Sequence, residues 1–347
     1  MIMATKKKGI FSTEVFDKWK AWIYLLPALI LLAVFTVYPI FNTVRIAFLE
    51  GYSSAALEGK VNLKFGLGNF SKALEYTEDI ENIVTGEVVK GTCEFITCMK
   101  NTFILCFITV PLSTILALVI AVCLNSIKFL RKFLQTIFFM PYVTNSIAIG
   151  MVFMAMFSVI GISTDPITGS IEGSTSLGIV NNVLGVFGID PVNWTSEGST
   201  YWSNMTVLIL YIVWNALPFK ILILLGGLQS VNKQYYDAAK IDSTPRLRVF
   251  TRITVPLLSP MIAYVVITGF IGGFKEYSSV IGIFGDEAMT KGGDSVNTIV
   301  GYIYRCLGND GATPRYGEAS AAALILFGII FLVTMVNLYV SNKKTHY

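Results

Sequence analysis

Residues 231–260 read VNKQYYDAAKIDSTPRLRVFTRITVPLLSP. This stretch is a long polar, basic interruption between two strongly apolar segments in the second half of the chain. Good helix formers fill residues 235–241, which predicts a first short helix. A second helix is predicted to begin at Pro245, with Thr244 before it as the N-cap. The sequence therefore predicts a compact pair of helices in residues 231–256, which we call the elbow.

The second predicted helix of the elbow has an apolar side and a basic side. Leu247, Phe250 and Ile253 recur every three residues, so they fall on one side of a helix. The elbow also carries cationic residues, namely Lys233, Lys240, Arg246, Arg248 and Arg252. A rigid, positively charged elbow has a shape suited to binding by another protein.

The spacing of residues in the elbow resembles the EAA loop of permease subunits from binding-protein-dependent ABC importers. The positions in register with that family are Ala238, Ala239, Asp242, Phe250, Ile253 and Pro256. Asp237 stands where the family has Glu, and Ser243 stands where it has Gly. A glycine there would be the left-handed residue that ends the first helix, a conformation that costs other residues about 1 kcal/mol.

The resemblance runs from the first apolar segment to the last and is strongest for the first-subunit type of maltose-type sugar permeases. It implies an all-α polytopic membrane protein with the type I fold of ABC importer permeases, which has six transmembrane helices and a cytoplasmic coupling helix. It also implies that the elbow docks in a groove on an ATPase subunit. The residues implied for ATPase coupling are Tyr236, Asp237, Ala238, Ala239, Lys240, Asp242, Ser243, Thr244, Arg246, Phe250 and Pro256.

Composition supports a membrane protein independently of that resemblance. Of the 347 residues, 54% are hydrophobic and only 14% are charged, which is below the charged fraction of soluble domains. The apolar runs are long enough to cross a bilayer, and the first exceeds the core of a cleaved signal peptide. Spans are predicted at about residues 22–48, 102–124, 133–157, 205–227, 257–284 and 319–340.

Charge in the connecting segments predicts their side of the membrane. The predicted segments are an N-terminal arm with an interfacial helix (1–20), an external cap (50–97), an external loop (158–204), the cytoplasmic elbow (231–256) and a tail (341–347). The stretches assigned to the cytoplasm, with the turn between the second and third spans, hold 15 of the 26 Lys and Arg residues but only 4 of the 22 acids. Because positive residues in short loops set orientation, both termini are predicted on the cytoplasmic side of a prokaryotic inner membrane.

Polar residues inside apolar spans mark a candidate solute path, because polar groups are costly within a bilayer. Such residues lie just before Pro218 and in the run GGFKEY at 272–277, which ends at Tyr277. In maltose-type permeases the matching stretches line the sugar site. Carried over by position, the resemblance implies Trp214, Asn215, Ala216, Phe219, Gly269, Gly272, Gly273 and Glu276.

Several of these positions, and Lys220 nearby in the same predicted span, could have a structural role instead of contacting a solute. Gly269, Gly272 and Gly273 could serve close helix packing alone. Glu276 could lie at the outer membrane interface. Lys220, roughly 13 Å from the cytoplasmic end of its predicted helix, is expected to extend its ammonium group to that interface.

The sequence disfavours several other functional classes. It has no GxxxxGK[ST] phosphate loop and no GxSxG motif, and its one histidine, His346, excludes an HExxH metal site. An internal repeat typical of many secondary transporters is also absent. The resemblance implies a transport subunit, not an enzyme, with no cofactor or metal of its own and no nucleic acid partner.

The implied function is ATP-driven uptake of a sugar or oligosaccharide by alternating access. The implied partners are a second homologous permease, an ABC ATPase dimer that binds ATP and Mg, an extracytoplasmic solute-binding protein, and membrane lipid. Two alternatives stay open: a non-sugar solute such as a phosphorylated polyol, and an ion-gradient-driven secondary transporter.

The five cysteines show no metal-site spacing. Cys106 and Cys123 lie in an apolar run and are predicted to pack in the core. Cys93, Cys98 and Cys306 fall near the predicted external side, where one disulfide among them is an option.

Overall fold

Apolar helices of 20 residues or more form the frame of the computed structural model. The structure describes residues 13–52, 63–76, 80–81, 88–89, 93–127, 131–160, 163–164, 171–172, 176–196, 198–285, 296–308 and 313–344. The helices are, in chain order, α1 (Thr13–Leu32), α2 (Tyr38–Ala47), α3 (Gly68–Ala73), α4 (Glu94–Ser126), α5 (Arg131–Val143), α6 (Ser146–Phe157), α7 (Ile179–Val186), α8 (Tyr201–Ser230), α9 (Lys233–Ile241), α10 (Arg246–Val249), α11 (Val255–Leu257), α12 (Ser259–Phe274), α13 (Ser278–Phe284), α14 (Ile299–Cys306) and α15 (Tyr316–Lys344).

Short antiparallel strand pairs lie in the segments between the long helices. They are β1 (Leu49–Glu50) with β2 (Lys64–Phe65), β3 (Ile80–Glu81) with β4 (Val88–Val89), β5 (Val159–Ile160) with β8 (Ser176–Leu177), and β6 (Ser163–Thr164) with β7 (Ile171–Glu172). The segments predicted as an external cap and an external loop therefore contain local structure, which includes α3 and α7.

Four helical stretches of the described chain are long and apolar enough to cross a membrane: Trp22–Ala47, Glu94–Ser126, Tyr201–Ser230 and Tyr316–Ser341. Two sharply bent helix pairs raise the number to six if each pair counts as one span. Helices α4, α8 and α15 extend beyond the predicted span limits at both ends. In place of a separate interfacial helix before residue 21, α1 begins at Thr13 and continues directly into the first span; residues 1–12 of that predicted arm lie outside the described residues.

The segment predicted as a span at 133–157 is bent, because two helices, Phe133–Val143 and Ser146–Phe157, meet there at 99°. Asn145 separates α5 from α6 with an extended backbone, and its side chain accepts a hydrogen bond from Ile147 N at 2.9 Å. An N-cap asparagine begins a new helix, since it satisfies an amide that has no partner in the helix. The chain therefore turns at this residue within the apolar segment.

The segment predicted as a span at 257–284 is also divided into more than one helix. The helices Arg246–Leu257 and Ser259–Phe274 meet at 69°, and α13 is a separate helix after a turn. A π-helical turn, Phe250–Thr254, comes just before Pro256, and a similar turn, Ala33–Val37, comes just before Pro39. Because proline lacks an amide hydrogen, the helix loses a hydrogen bond one turn earlier and readily deforms there.

Helices α4 and α8 run parallel and form the centre of the bundle. The Tyr201 hydroxyl, at the start of α8, donates to Asn101 Oδ1 near the start of α4 at 2.8 Å. At the other end, Ala117, Ala121 and Leu124 pack with α8 residues that are also buried, namely Ile221, Leu224, Leu225 and Leu228. Both helices thus end on the same side, and the elbow follows α8 at that side.

A close helix crossing joins α6 to α13 near the opposite end of the bundle. A Cβ atom on Gly150 would come within 2.7 Å of the Gly282 backbone. Only glycine allows two backbones to approach this closely. The bent segment α5–α6 is therefore held against α13 as well as against α8.

Candidate functional site

The elbow forms two arms joined by a tight turn. The first arm, α9, begins at Asn232, whose side chain accepts from Gln234 N at 3.0 Å. It ends in a turn in which Ser243 N donates to Lys240 O at 3.1 Å and Thr244 N donates to Ala239 O at 2.9 Å. Ser243 has φ 51°, and among the described non-glycine residues it alone has positive φ. The turn therefore keeps the left-handed geometry that the motif gives to glycine, although serine occupies the position.

The second arm begins one residue later than predicted. Pro245 is the N-cap and α10 begins at Arg246, with no side-chain capping bond. The first helical bond of this arm runs from Val249 N to the Pro245 carbonyl at 3.0 Å, so the cap is Pro245, whereas the Thr244 amide closes the turn after α9. The π-turn then carries the chain to Pro256 and to the start of α12.

The two sides of the elbow differ in burial. Ala239 is buried, and the Tyr236 hydroxyl lies 3.4 Å from the Thr254 hydroxyl, so these residues tie the first arm to the second. On the outer side, Ile241 is 84% exposed and Leu247 is 75% exposed. Leu247 was predicted to join an apolar side, and no buried partner covers it within the described chain. The elbow therefore presents apolar side chains among cations.

Most of the remaining candidate coupling residues lie on the exposed side of the elbow. Ala238, Lys240, Asp242, Ser243 and Arg246 are exposed. Asp237 forms an exposed ion pair with Lys240, in which Oδ1 and Nζ are 3.3 Å apart.

A pocket of about 650 Å³ lies between the elbow and the ends of α4 and α8. The helices contribute Val122, Asn125, Ser126 and Leu228 to its wall. The elbow contributes Tyr236, Ala239, Lys240, Ser243, Thr244, Arg246, Val249, Phe250 and Thr254. The elbow thus stands beside the helix ends and leaves space between them.

A second cavity, of about 450 Å³, lies between the apolar helices, and we call it the central cavity. Its walls come from α4, α5, α6, α8 and α12 and from the turn after α12. The predicted residues that line it are Asn215, Ala216, Phe219, Gly269, Gly272, Gly273 and Glu276. Residues from five helices are therefore brought together in one space.

Two of the predicted solute-path residues lie outside the central cavity wall. Trp214 packs against Phe153 with ring centroids 5.4 Å apart. Tyr277 stacks on Tyr304 at 4.5 Å. Both rings therefore contact other aromatic side chains and are not part of the wall of the central cavity.

The three glycines of α12 have different surroundings. A Cβ on Gly273 would meet Cys106 Sγ at 2.8 Å, and a Cβ on Gly269 would meet Val110 at 3.0 Å. These two glycines allow α12 to pack closely on α4. Nothing lies within 4 Å of a Cβ placed on Gly272, so that position faces open space.

Lys220 does not extend to the membrane interface, and that expectation is wrong. Its side chain is buried, and Nζ donates to Ser113 Oγ at 2.7 Å, to Thr114 Oγ1 at 3.0 Å and to the Val110 carbonyl at 3.1 Å. Three oxygens on one turn of α4 satisfy the ammonium group locally. This removes the need to reach water, which is the reason lysines extend to the interface.

Several cavity residues were missed by sequence reasoning. They are Thr109, Val110, Ser113, Pro141, Tyr142, Ser146, Ile212, Val265 and Thr268, and Lys220 joins them in the wall instead of lying at the membrane interface. Tyr142 stacks on Phe219 with centroids 6.1 Å apart and 19° between the ring planes. Hydroxyl residues within apolar runs were a usable signal, but sequence alone does not say which of them face the same space.

All five cysteines are free thiols in the structure, so no disulfide joins Cys93, Cys98 and Cys306. Cys106 is buried as predicted, but Cys123 is exposed on its helix, so its predicted core packing is wrong. Burial raises the pKa of Cys306 to about 11, which keeps this thiol protonated at neutral pH. Within the described residues, no group of three or more His, Cys, Asp or Glu side chains is placed to hold a metal ion.

Residues 110–346 match the family described as the binding-protein-dependent transport system inner membrane component. The match covers about two thirds of the chain and includes both the elbow and most of the central cavity. This chain belongs to that family. It is therefore a multi-pass permease subunit of an ABC transporter, and the prediction that it is a transport subunit and not an enzyme is confirmed.

Similar proteins extend over nearly the whole permease. It is 28% identical over 340 residues to the arabinooligosaccharides transport system permease protein AraP of Halalkalibacterium halodurans, covering 97% of this chain and 92% of that protein. It is 25% identical over 346 residues to the lactose transport system permease protein LacF of Rhizobium radiobacter, covering 99% of this chain and 100% of that one.

A solved structure also has this fold. The permease aligns with a chain of the bacterial alginate ABC transporter in complex with an alginate pentasaccharide-bound periplasmic protein, with a TM-score of 0.70. The two chains are 22% identical, and the alignment covers 96% of this chain and 97% of that one. The predicted fold class, an all-α polytopic protein with the type I fold of ABC importer permeases, is confirmed.

Proposed function

We propose that this permease imports a sugar or oligosaccharide delivered by an extracytoplasmic binding protein, and that ATP hydrolysis on partner subunits drives the transport. The substrate class follows from the similar proteins, which are permeases of arabinooligosaccharide and lactose transport systems. The observation that carries the mechanism is the pairing of a stiff elbow with a central cavity on the same helices. Helix α8 lines the cavity at Phe219 and leads directly into the elbow.

The elbow is the proposed docking element for one subunit of an ABC ATPase dimer. Its outer side offers Ile241 and Leu247, whose side chains are mostly exposed, among basic residues. Apolar side chains that have no cover within a chain often mark contact sites for a partner. ATP and Mg would be held by the ATPase subunits, since this sequence has no phosphate-binding loop.

Motion of the docked elbow would reach the cavity through two routes. The first is direct, because α8 ends at Ser230 and α9 begins at Lys233. The second passes through Pro256 into α12, which carries Gly269 and Gly272 in the cavity wall. A rigid displacement of the elbow would therefore tilt two walls of the cavity together and alternate its access between the two sides of the membrane.

The cavity chemistry suits a carbohydrate. The Tyr142–Phe219 stack offers aromatic surface for a sugar ring, and Asn215 and Glu276 offer hydrogen-bonding groups for hydroxyls. Specific sites usually combine apolar or aromatic walls with a few placed polar groups. A second, homologous permease would complete the solute path, because the cavity wall contributed by this chain is open.

The proposed topology places both termini and the elbow in the cytoplasm and the segments at 50–97 and 158–204 outside. It follows from the excess of Lys and Arg in the short stretches on the elbow side. Labelling of an Ile241→Cys variant, expressed without the ATPase subunits that would cover this residue, with a membrane-impermeant maleimide tests it. We expect labelling only after the cells are opened. Labelling in intact cells would contradict the proposed orientation.

Transport itself is tested in proteoliposomes that contain this permease, its partner permease, the ATPase and the binding protein. We expect a labelled sugar or oligosaccharide that the binding protein binds to accumulate with internal ATP and to continue accumulating after an uncoupler collapses the proton gradient. Accumulation by this chain alone, or loss of accumulation with the uncoupler, would instead support a secondary transporter.

A further inference from the structure

The most unusual group in the central cavity is the ammonium of Lys220. The side chain is only 4% exposed, and it lies in the wall of the cavity near the middle of α8. Its three hydrogen-bond acceptors are Val110 O, Ser113 Oγ and Thr114 Oγ1, all on α4. All three acceptors are uncharged, so the positive charge itself is not neutralised by them.

No carboxylate neutralises Lys220 within the described part of the chain. The acidic residue in the cavity wall, Glu276, instead accepts a hydrogen bond from Ser279 N at 3.1 Å. Gly269 lies next to the ammonium, because a Cβ there would be 3.3 Å from Nζ. Glu276 follows Gly269 by seven residues, which corresponds to roughly 10 Å along a helix. The two charges therefore lie in different parts of the cavity wall.

An unneutralised charge in this position needs an explanation. Charged side chains within a bilayer are costly, and they usually face a pathway or a partner of opposite charge. A contact that only joined α4 to α8 could be made by a neutral amide donor without that cost. A lysine in this place is therefore better explained by an anionic group that enters the cavity from outside the chain.

We propose that Lys220 makes the central cavity select a polyhydroxylated solute that carries an acidic group, either a carboxylate or a phosphate. The inference rests on the proposed function, because the cavity must be the solute path. The Ser113 hydroxyl lies in this wall and donates to the Thr109 and Val110 carbonyls, from which it can turn towards an anion. Asn215 and Glu276 remain available for the hydroxyl groups of the same solute.

The experiment uses the complete transporter in nanodiscs, without its binding protein, so that the specificity of that protein does not enter. A Gly272→Cys variant places a thiol in the open part of the cavity, and solutes are titrated for protection of this thiol from a maleimide. Two matched pairs of probes are used: digalacturonate against the uncharged disaccharide galactobiose, and glycerol 3-phosphate against glycerol. The first pair tests a carboxylate and the second tests a phosphate.

We expect the acidic member of one pair to protect at a concentration at least about tenfold lower than its neutral counterpart, the effect of one hydrogen bond to a charged group. Lys220→Gln keeps a hydrogen-bond donor but removes the charge, so it should abolish this preference. Lys275→Met removes a lysine at an exposed position outside the cavity wall and should leave the preference intact.

Equal protection by acidic and neutral probes would overturn the inference, as would protection by none of the four probes or a preference that survives Lys220→Gln. The comparison of probes with native Lys220 decides the matter even if the Lys220→Gln protein does not fold. Failure of the proposed function is seen separately, as absence of ATP-driven uptake of any solute by the complete transporter with its binding protein.

Discussion

The elbow and the central cavity are built in different ways. The hydrogen bonds that shape the elbow close over a few residues, as in the turn from Lys240 to Thr244. The cavity wall instead draws on positions from Thr109 to Glu276, on five helices. A locally closed unit can move as one body, whereas a cavity assembled from separate helices changes shape when any of them tilts. This difference suits the elbow for receiving a force and the cavity for responding to it.

The largest expected effect on transport comes from placing a large side chain on the exposed side of the elbow. Ala238→Trp places a large ring on the exposed side of α9, where the proposed ATPase groove would contact it. We expect uptake to fall by about tenfold or more, the effect of disrupting the centre of an interface. The purified variant should keep its thermal unfolding midpoint, since no internal contact changes.

Ala239→Trp is the matched comparison at the neighbouring, buried position. Uptake should again be lost, but here the ring would also force the two arms apart, at a cost of about 1–3 kcal/mol. A lowered unfolding midpoint for this variant alone is the expected result. An equal effect of the two variants on the unfolding midpoint would contradict the buried position of Ala239 and the exposed position of Ala238.

A second prediction compares two glycines in the cavity wall. Gly273→Ala should destabilise the protein by about 1–3 kcal/mol because its Cβ would overlap Cys106 Sγ. Gly272→Ala should change the free energy of unfolding by less than about 0.5 kcal/mol, since its Cβ enters open space. Thermal unfolding in one detergent measures both. A larger loss of stability for Gly272→Ala than for Gly273→Ala would contradict the open surroundings of Gly272.

These two regions also differ in how well sequence predicts them. The elbow could be predicted because its determinants are local: Ala238, Ala239 and Asp242 at fixed spacing, then a proline. Lys220 could not, because its three acceptors lie on α4 more than 100 residues away. The bend at Asn145 had a local signal, an N-cap residue inside an apolar run, which hydropathy alone overlooks.

A third prediction concerns the left-handed residue of the elbow. Ser243→Gly should stabilise the protein by up to about 1 kcal/mol, because glycine adopts positive φ without the steric cost paid by serine. Ser243→Val should lower stability, since a β-branched side chain fits this conformation poorly. The unfolding midpoints of both variants, compared with native Ser243, give the test. The reverse order would contradict the turn geometry.

The smallest expected effect is that of the exposed ion pair on α9. Lys240→Ala removes the contact with Asp237 and should change the free energy of unfolding by at most about 0.5 kcal/mol. High salt should make even this difference disappear, since exposed charges are screened. A loss well above this value would indicate that the pair stabilises the elbow more than its exposure implies.

The central claim is that the elbow transmits the action of the ATPase to the cavity. The most direct measurement is the labelling of Gly272→Cys by a maleimide added from the outer side of the complete transporter, with and without ATP. The ATPase used binds ATP but does not hydrolyse it. The transporter with native Gly272 gives the background labelling. We predict that ATP increases this labelling and that adding Ala238→Trp abolishes the increase. An ATP-dependent increase that persists with Ala238→Trp would show that the force reaches the cavity by another route.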